Sequence, residues 1–173
     1  MSWLLDADVL CQPVKTHGAR TVMEWLEREQ DDCYTSTIVI AQVAYWIRTK
    51  EGRTRTRLQQ WLGRSVDAMQ GRILGFNVAA AHVWADQKFL LEQAGQPMPI
   101  EDSYIAATAR RHNLTIVTGN ERHFQRPGLK VLNPFKELGA GGQHPQCAPI
   151  AQPTVNPKAQ PAHGVQQGFQ PYP

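Results

Sequence analysis

Short apolar runs alternate with segments of helical periodicity along the first 138 residues, and this alternation restricts the fold more than any other feature. SWLLD (2–6) is an apolar run closed by an acid, and LTIVT (114–118) is one that runs into Gly119-Asn120. CYTS (33–36), RILGF (72–76) and LKVL (129–132) are shorter runs of the same kind. Each is a candidate strand, because continuous apolar stretches of four to eight residues suit strands buried on both faces. Between them the period changes to that of a helix. Val22, Trp25, Leu26 and Glu29 fall at helical spacing within Thr16–Gln30. Ser36 or Thr37 can cap a helix running to about Arg48. Leu58, Trp61, Leu62, Val66 and Met69 mark an amphipathic helix. Asn77 opens a helix to Gln93, closed by Gly95, Pro97 and Pro99, and Ile100–His112 forms another. Strands alternating with helices predict an α/β fold with a mostly parallel central sheet covered on both faces.

The composition changes at Gly139. From there to Pro173 the chain carries seven Pro, seven Gln and one charged residue, Lys158. Too little apolar surface is available there to offset the entropy of ordering, so 139–173 is expected to be a disordered Pro/Gln-rich tail after a domain spanning 1–138. No run approaches the eighteen or so apolar residues of a transmembrane helix, and the acidic N-terminus lacks the basic start of a secretory signal. A cytoplasmic protein with no membrane association is expected. Cys11, Cys33 and Cys147 show no metal-binding or disulfide spacing and are expected to be reduced thiols. The formal net charge of +3 leans only mildly toward anionic partners.

Most acids sit on solvated helix faces, and two do not. Asp6 ends the first strand, and ligands of parallel α/β sheets bind beyond the carboxyl ends of the strands. Asp102 lies in the first turn of the helix after Pro99, where it also complements the helix dipole. With Asn120 at the end of another strand, three elements could deliver oxygen groups to one crevice. Oxygen donors without cysteine or paired histidine select a hard cation such as Mg²⁺ or Mn²⁺. Such an ion suits phosphodiester hydrolysis. A receiver-like signalling domain has the same alternation, but it needs an acceptor Asp at a later strand end, and neither RILGF nor LTIVT supplies one.

The order of motifs resembles the PIN-domain ribonucleases, in particular the VapC toxins of VapC–VapB toxin–antitoxin pairs. LLDADVL resembles their opening motif, and TIVIAQVAYWI (37–47) resembles the second, which places an acid in an apolar helix. PIEDSYIAATA resembles the third, and TIVTGNERHF followed by LKVLNPF resembles the closing strand, turn and final strand. The likeness spans roughly residues 2–135. It implies a PIN-like three-layer α/β/α fold and a Mg²⁺- or Mn²⁺-dependent endoribonuclease acting on RNA. It also implies a homodimer and a VapB-type antitoxin whose C-terminal segment enters the acidic crevice. Asp6 and Asp102 match the metal-binding acids, and Asn120 matches the closing-turn residue that supports the metal's water. These three are the implied catalytic residues. His123 stands where many relatives carry a further acid.

Three departures from the pattern bear on catalysis. Ala7 replaces a hydroxyl residue, Asp8 replaces Asn, and Gln42 replaces the second acid, Glu. Two unit charges ~4 Å apart interact by about 4 kcal/mol at an effective dielectric near 20, and roughly twice that for a divalent partner, so the missing charge at 42 matters. Asp8 is a further candidate ligand, since an extended backbone would point it to the same face as Asp6. Glu101 is a poorer substitute, because neighbouring helix residues diverge by about 100 degrees. The alternative reading is a degenerate PIN domain that binds RNA or antitoxin without cutting. Arg48, Lys50, Arg53, Arg55, Arg57 and Arg64 place six bases against one acid, Glu51, in seventeen residues. Arg53 and Arg55 are the candidate RNA-binding residues of this run, which is expected to be a loop leading into a polar helix face. Trp46, Trp61 and Trp84 lie on apolar faces and are expected to be core or dimer contacts.

Overall fold

The structure is a computed structural model and describes residues 1–136. The expected tail at 139–173, the boundary at 138 and Cys147 lie outside the described residues. Five strands are found in chain order: β1 (Trp3–Leu5), β2 (Cys33–Ser36), β3 (Ile73–Leu74), β4 (Thr115–Val117) and β5 (Val131–Leu132). They form one sheet of order β3-β2-β1-β4-β5 in which every pairing is parallel. The helices among the described residues are α1 (Ala7–Leu10), α2 (Arg20–Glu29), α3 (Thr37–Arg48), α4 (Gly52–Ala68), α5 (Val78–Gln93), α6 (Ile100–Arg111) and α7 (Glu121–Phe124). The result is a three-layer α/β fold, as the alternation of periods implies.

The apolar character of SWLLD and LTIVT follows from their place at the centre of the sheet. Leu4 and Ile116 are fully buried and lie side by side in the β1–β4 register. Behind them Trp3 meets Trp25 of α2 edge-on at 5.5 Å, the geometry that ring quadrupoles favour. The Trp3 Nε1–H also donates to Glu29 (3.2 Å), so this acid ties α2 to β1 and is not merely part of a solvated helix end. β3 and β5 are shorter than RILGF and LKVL suggest, two residues each, and both lie at the sheet's edges.

Helix starts follow local chemistry. The Ser36 hydroxyl accepts from Val39 N–H (3.2 Å) to open α3, and Asn77 Oδ1 accepts from Ala80 N–H (3.1 Å) to open α5. Glu101 and Asp102 occupy the first turn of α6 and Arg110 and Arg111 its last, complementing the helix dipole at both ends.

Two expected boundaries are corrected. The helix expected from Thr16 begins at Arg20, because residues 12–14 form a 3₁₀ turn around Pro13. Gln12, buried there, donates to Asp8 O (2.8 Å) and accepts from Ala19 N–H (2.9 Å), bracing the connection. Gly18 closes against it, since a Cβ would sit 2.8 Å from Gln12 O. The amphipathic helix expected from Leu58 begins earlier, at Gly52, so Arg53, Arg55 and Arg57 stand on helix α4 and not in a loop. Trp46 and Trp61 are half-buried against the core. Trp84 donates to the Ser103 hydroxyl (2.8 Å) and packs on Tyr104 with ring centroids 5.3 Å apart.

Candidate active site at the carboxyl edge of the sheet

β1 delivers Asp6 to the sheet's carboxyl edge, and the side chain immediately caps α1. Ala7 N–H donates to its Oδ1 (2.7 Å), and the Thr118 hydroxyl at the end of β4 donates to its Oδ2 (2.8 Å). The same hydroxyl oxygen accepts from Asn120 N–H (3.0 Å), so Thr118 joins the first carboxylate to the closing turn. Asp6 is only 8% exposed. Burial pushes its carboxyl up to about 6, with a further push from the negative charges of Asp8 and Asp102. The bonds from Thr118 and Ala7 only partly offset this.

Asp8 reaches this region by a different route from the one expected. The backbone is not extended between the two acids: Asp6 starts a helix, and residues two apart on a helix do not face one another. Instead the turn after β4 folds over Asp8, and Gly119 N–H donates to its Oδ2 (2.8 Å). Glycine is required for this approach, because a Cβ at 119 would lie 2.9 Å from Asp8 Oδ2 and 2.9 Å from the Phe135 ring. Burial raises the Asp8 carboxyl above its ordinary range, opposed by the Gly119 bond and by Lys15.

The third group stands on α6 and α7. Asp102 Oδ2 lies 2.7 Å from His123 Nδ1, and Asn120 Nδ2 lies 2.6 Å from the same nitrogen. His123 donates to Asp102 when its Nδ1 carries a proton, which would orient the carboxylate and tie α7 to α6. Across from them α3 presents Gln42. Its Nε2 donates to Glu101 Oε2 (2.9 Å), while its Oε1 is buried and unpartnered. Glu101 does diverge from Asp102, as expected of helix neighbours, but it diverges toward α3 and stays at the crevice.

Asp6, Asp8, Gln42, Glu101, Asp102 and Asn120 therefore line one cavity of about 780 Å³. Ile38, Ala41, Gln42 and Tyr45 present one α3 face to it at i, i+3, i+4 and i+7, a pattern that the sequence carries but that the uniform apolarity of TIVIAQVAYWI hides. Thr118 was legible only as a polar strand end; its hydroxyl link to Asp6 depends on β4 lying beside β1. Arg53 and Arg55 are exposed on α4 and do not line the cavity.

Among the described residues no group of three or more His, Cys, Asp and Glu is gathered closely enough to hold a metal ion by itself. The oxygen donors do fit a hard cation held more openly. Mg²⁺ commonly takes one or two carboxylates and fills its other positions with water and substrate phosphate. The negative charge of Asp102 is close enough to help raise the Asp6 carboxyl, and the orphaned Gln42 Oε1 is an uncommitted buried oxygen on a residue of the same cavity.

A parallel α/β domain with carboxylates gathered at the ends of its central strands is the architecture of a PIN domain. Residues 4–129 match the PIN domain family, and the chain belongs to it. It is 29% identical over 136 residues to VapC ribonuclease Y4jK of Sinorhizobium fredii, covering 77% of this chain and 97% of that one. It is likewise 29% identical over 137 residues to Toxin FitB of Neisseria gonorrhoeae, covering 78% and 99%. Among solved structures, FitAcB from Neisseria gonorrhoeae superposes with a TM-score of 0.73 at 29% identity, covering 77% of this chain and 98% of that one. FitAB bound to an IR36 DNA fragment superposes with a TM-score of 0.72 at 28% identity, covering 78% and 96%.

Proposed function

We propose that the protein is a Mg²⁺- or Mn²⁺-dependent endoribonuclease, the toxin component of a type II toxin–antitoxin pair acting in the cytoplasm. The observation that carries this reading is Asp6: a carboxylate buried at a strand end, raised by burial and by neighbouring acids, facing the same cavity as Asp102. Negative charge concentrated at a cost to the fold is characteristic of sites that act on or through charge. The names of the two relatives, a VapC ribonuclease and a FitB toxin, support the substrate class.

Asp6 and Asp102 would hold the ion, and Asp8 is the further candidate. When bound, the ion supplies a nucleophilic water at neutral pH and charge stabilisation for the phosphodiester. The chain's own groups orient this chemistry. Thr118 fixes the Asp6 carboxylate, His123 fixes Asp102, and Asn120 offers an amide to a water beside them. Gln42 can accept or donate a hydrogen bond but cannot take a proton as a base. Antitoxin pairing is supported by the FitAB and FitAcB neighbours and by the acidic cavity, which would attract a cationic side chain. A homodimer belongs to the same reading, with exposed Val78, Phe89 and Ile100 as candidate contact residues.

Cleavage of RNA by the full chain in Mg²⁺ or Mn²⁺, lost in Asp6→Ala, is the expected result. A second reading, a degenerate domain that binds RNA or antitoxin without cutting, is favoured by the amide at Gln42. Silence of the wild type together with cleavage by Gln42→Glu would establish it.

A further inference from the structure

The second helix of the crevice carries an amide, yet the crevice keeps four acids: Asp6, Asp8, Glu101 and Asp102. We infer that Glu101 supplies the metal-site carboxylate that α3 lacks, and that Gln42 is the positioning residue that holds it there. This rests on the metal-dependent reading of the crevice.

The contact itself is specific. Gln42 on α3 and Glu101 on α6 are 59 residues apart, and Gln42 Nε2 donates to Glu101 Oε2 at 2.9 Å. A carboxylate can only accept, so the amide nitrogen must face it and the amide oxygen must face away. That leaves Gln42 Oε1 buried and unpartnered beside the cavity. Glu101 Oε1 makes no hydrogen bond among the described residues, so one oxygen of this carboxylate is also uncommitted. The pair thus leaves two oxygens without a hydrogen-bond partner among the described residues, one neutral and buried, one anionic.

The residue types at the two positions are interdependent. An acid at 42 would stand within hydrogen-bond distance of Glu101, and two carboxylates at that separation cannot both ionise freely. An amide removes that repulsion and adds a donor. The change at 42 is then not a lost charge but a charge carried on the neighbouring helix. A structural bond alone would not require either partner to face the cavity, and both line it.

The test is Mn²⁺ binding to the full chain, freed of metal by chelator, measured by calorimetry and by electron paramagnetic resonance. Glu101→Gln and Glu101→Ala are each expected to weaken Mn²⁺ binding by roughly tenfold or more, the scale of changes close to a metal. Glu101 is exposed, so both variants should keep the wild-type circular dichroism. The exchange Gln42→Glu/Glu101→Gln should restore binding to within a few-fold of wild type. Unchanged affinity in both Glu101 variants, or no recovery in the exchanged protein, overturns the inference. Equal binding by wild type and Asp6→Ala/Asp102→Ala would instead sink the metal-site reading on which it rests.

Discussion

Asp6→Asn should make the metal-free protein more stable, and by an amount that grows with pH. In the folded chain burial holds the Asp6 carboxyl at about 6, against an ordinary value of 3.8. The unfolded chain therefore gives up this proton at lower pH than the folded chain does. Across that interval the unfolded state binds fewer protons, so the stability of the wild type falls as pH rises from about 3.8 to about 6 and stays lower above it. Linkage over this interval gives a cost of about 1 kcal/mol near pH 4.5 and about 3 kcal/mol near pH 8. Asparagine removes that cost while preserving the local geometry. Its Oδ1 can still cap Ala7, and its Nδ2 can donate to the Thr118 hydroxyl oxygen, which lies 2.8 Å from the present Oδ2. Any packing penalty of the amide is common to both pH values, so the difference between them isolates ionisation of Asp6. Urea unfolding followed by tryptophan fluorescence in chelator, near pH 4.5 and near pH 8, measures it. The expected gain of Asp6→Asn over wild type is about 2 kcal/mol larger at the higher pH. A mutational effect independent of pH, or one that becomes more destabilising as pH rises, would refute the electrostatic account. Adding Mn²⁺ near pH 8 should then stabilise the wild type more than Asp6→Asn, because a bound cation favours the ionised carboxylate.

Gly119→Ala should lose about 1–3 kcal/mol in the same urea assay, because its Cβ would press on Asp8 and on the Phe135 ring and both cannot yield without disturbing the closing turn. Arg53→Glu/Arg55→Glu should weaken RNA binding and flatten its salt dependence in fluorescence anisotropy while leaving the melting temperature unchanged; equal affinity would remove α4 as a phosphate-tracking face. Cys11 and Cys33 should resist iodoacetamide near pH 8 in the folded protein and react in denaturant, as read by mass spectrometry, because burial pushes their thiols up to about 11 and about 12.

The elements that carry the strongest local signals were readable from the chain alone. β1 and β4 are continuous apolar runs because they occupy the sheet's centre, and α3 and α5 begin where Ser36 and Asn77 can cap them. Asp6 and Asp102 could be assigned to one crevice because strand ends and helix starts of a parallel sheet share an edge. The four-residue α1 is too short to show a period, so the geometry of Asp8 was not readable. Glu101 was set aside on helix geometry that proved correct. Its partner on α3 depends on how two helices 59 residues apart pack, which no local pattern encodes. The Thr118 link is of the same kind, since it requires β1 and β4 to be neighbours. The hydrophobic runs placed the backbone, while the hydrogen bonds that finish the site belong to tertiary packing.

The bond between Thr118 and Asp6 spans 112 residues, and it has a consequence for the order in which the molecule comes into being. β1 is made first but lies between β2 and β4, so its second neighbour is absent until most of the chain has been synthesised. Parallel pairing across such separations forms slowly, because the loop must close before the contact repays it. A nascent chain that ends before β4 has Asp6 and Asp8 but neither Thr118 nor Gly119 to anchor them, and it lacks Asn120 and His123. Such a chain would hold its first carboxylates without the groups that aim them, so truncated translation products would lack the assembled crevice that the finished protein carries.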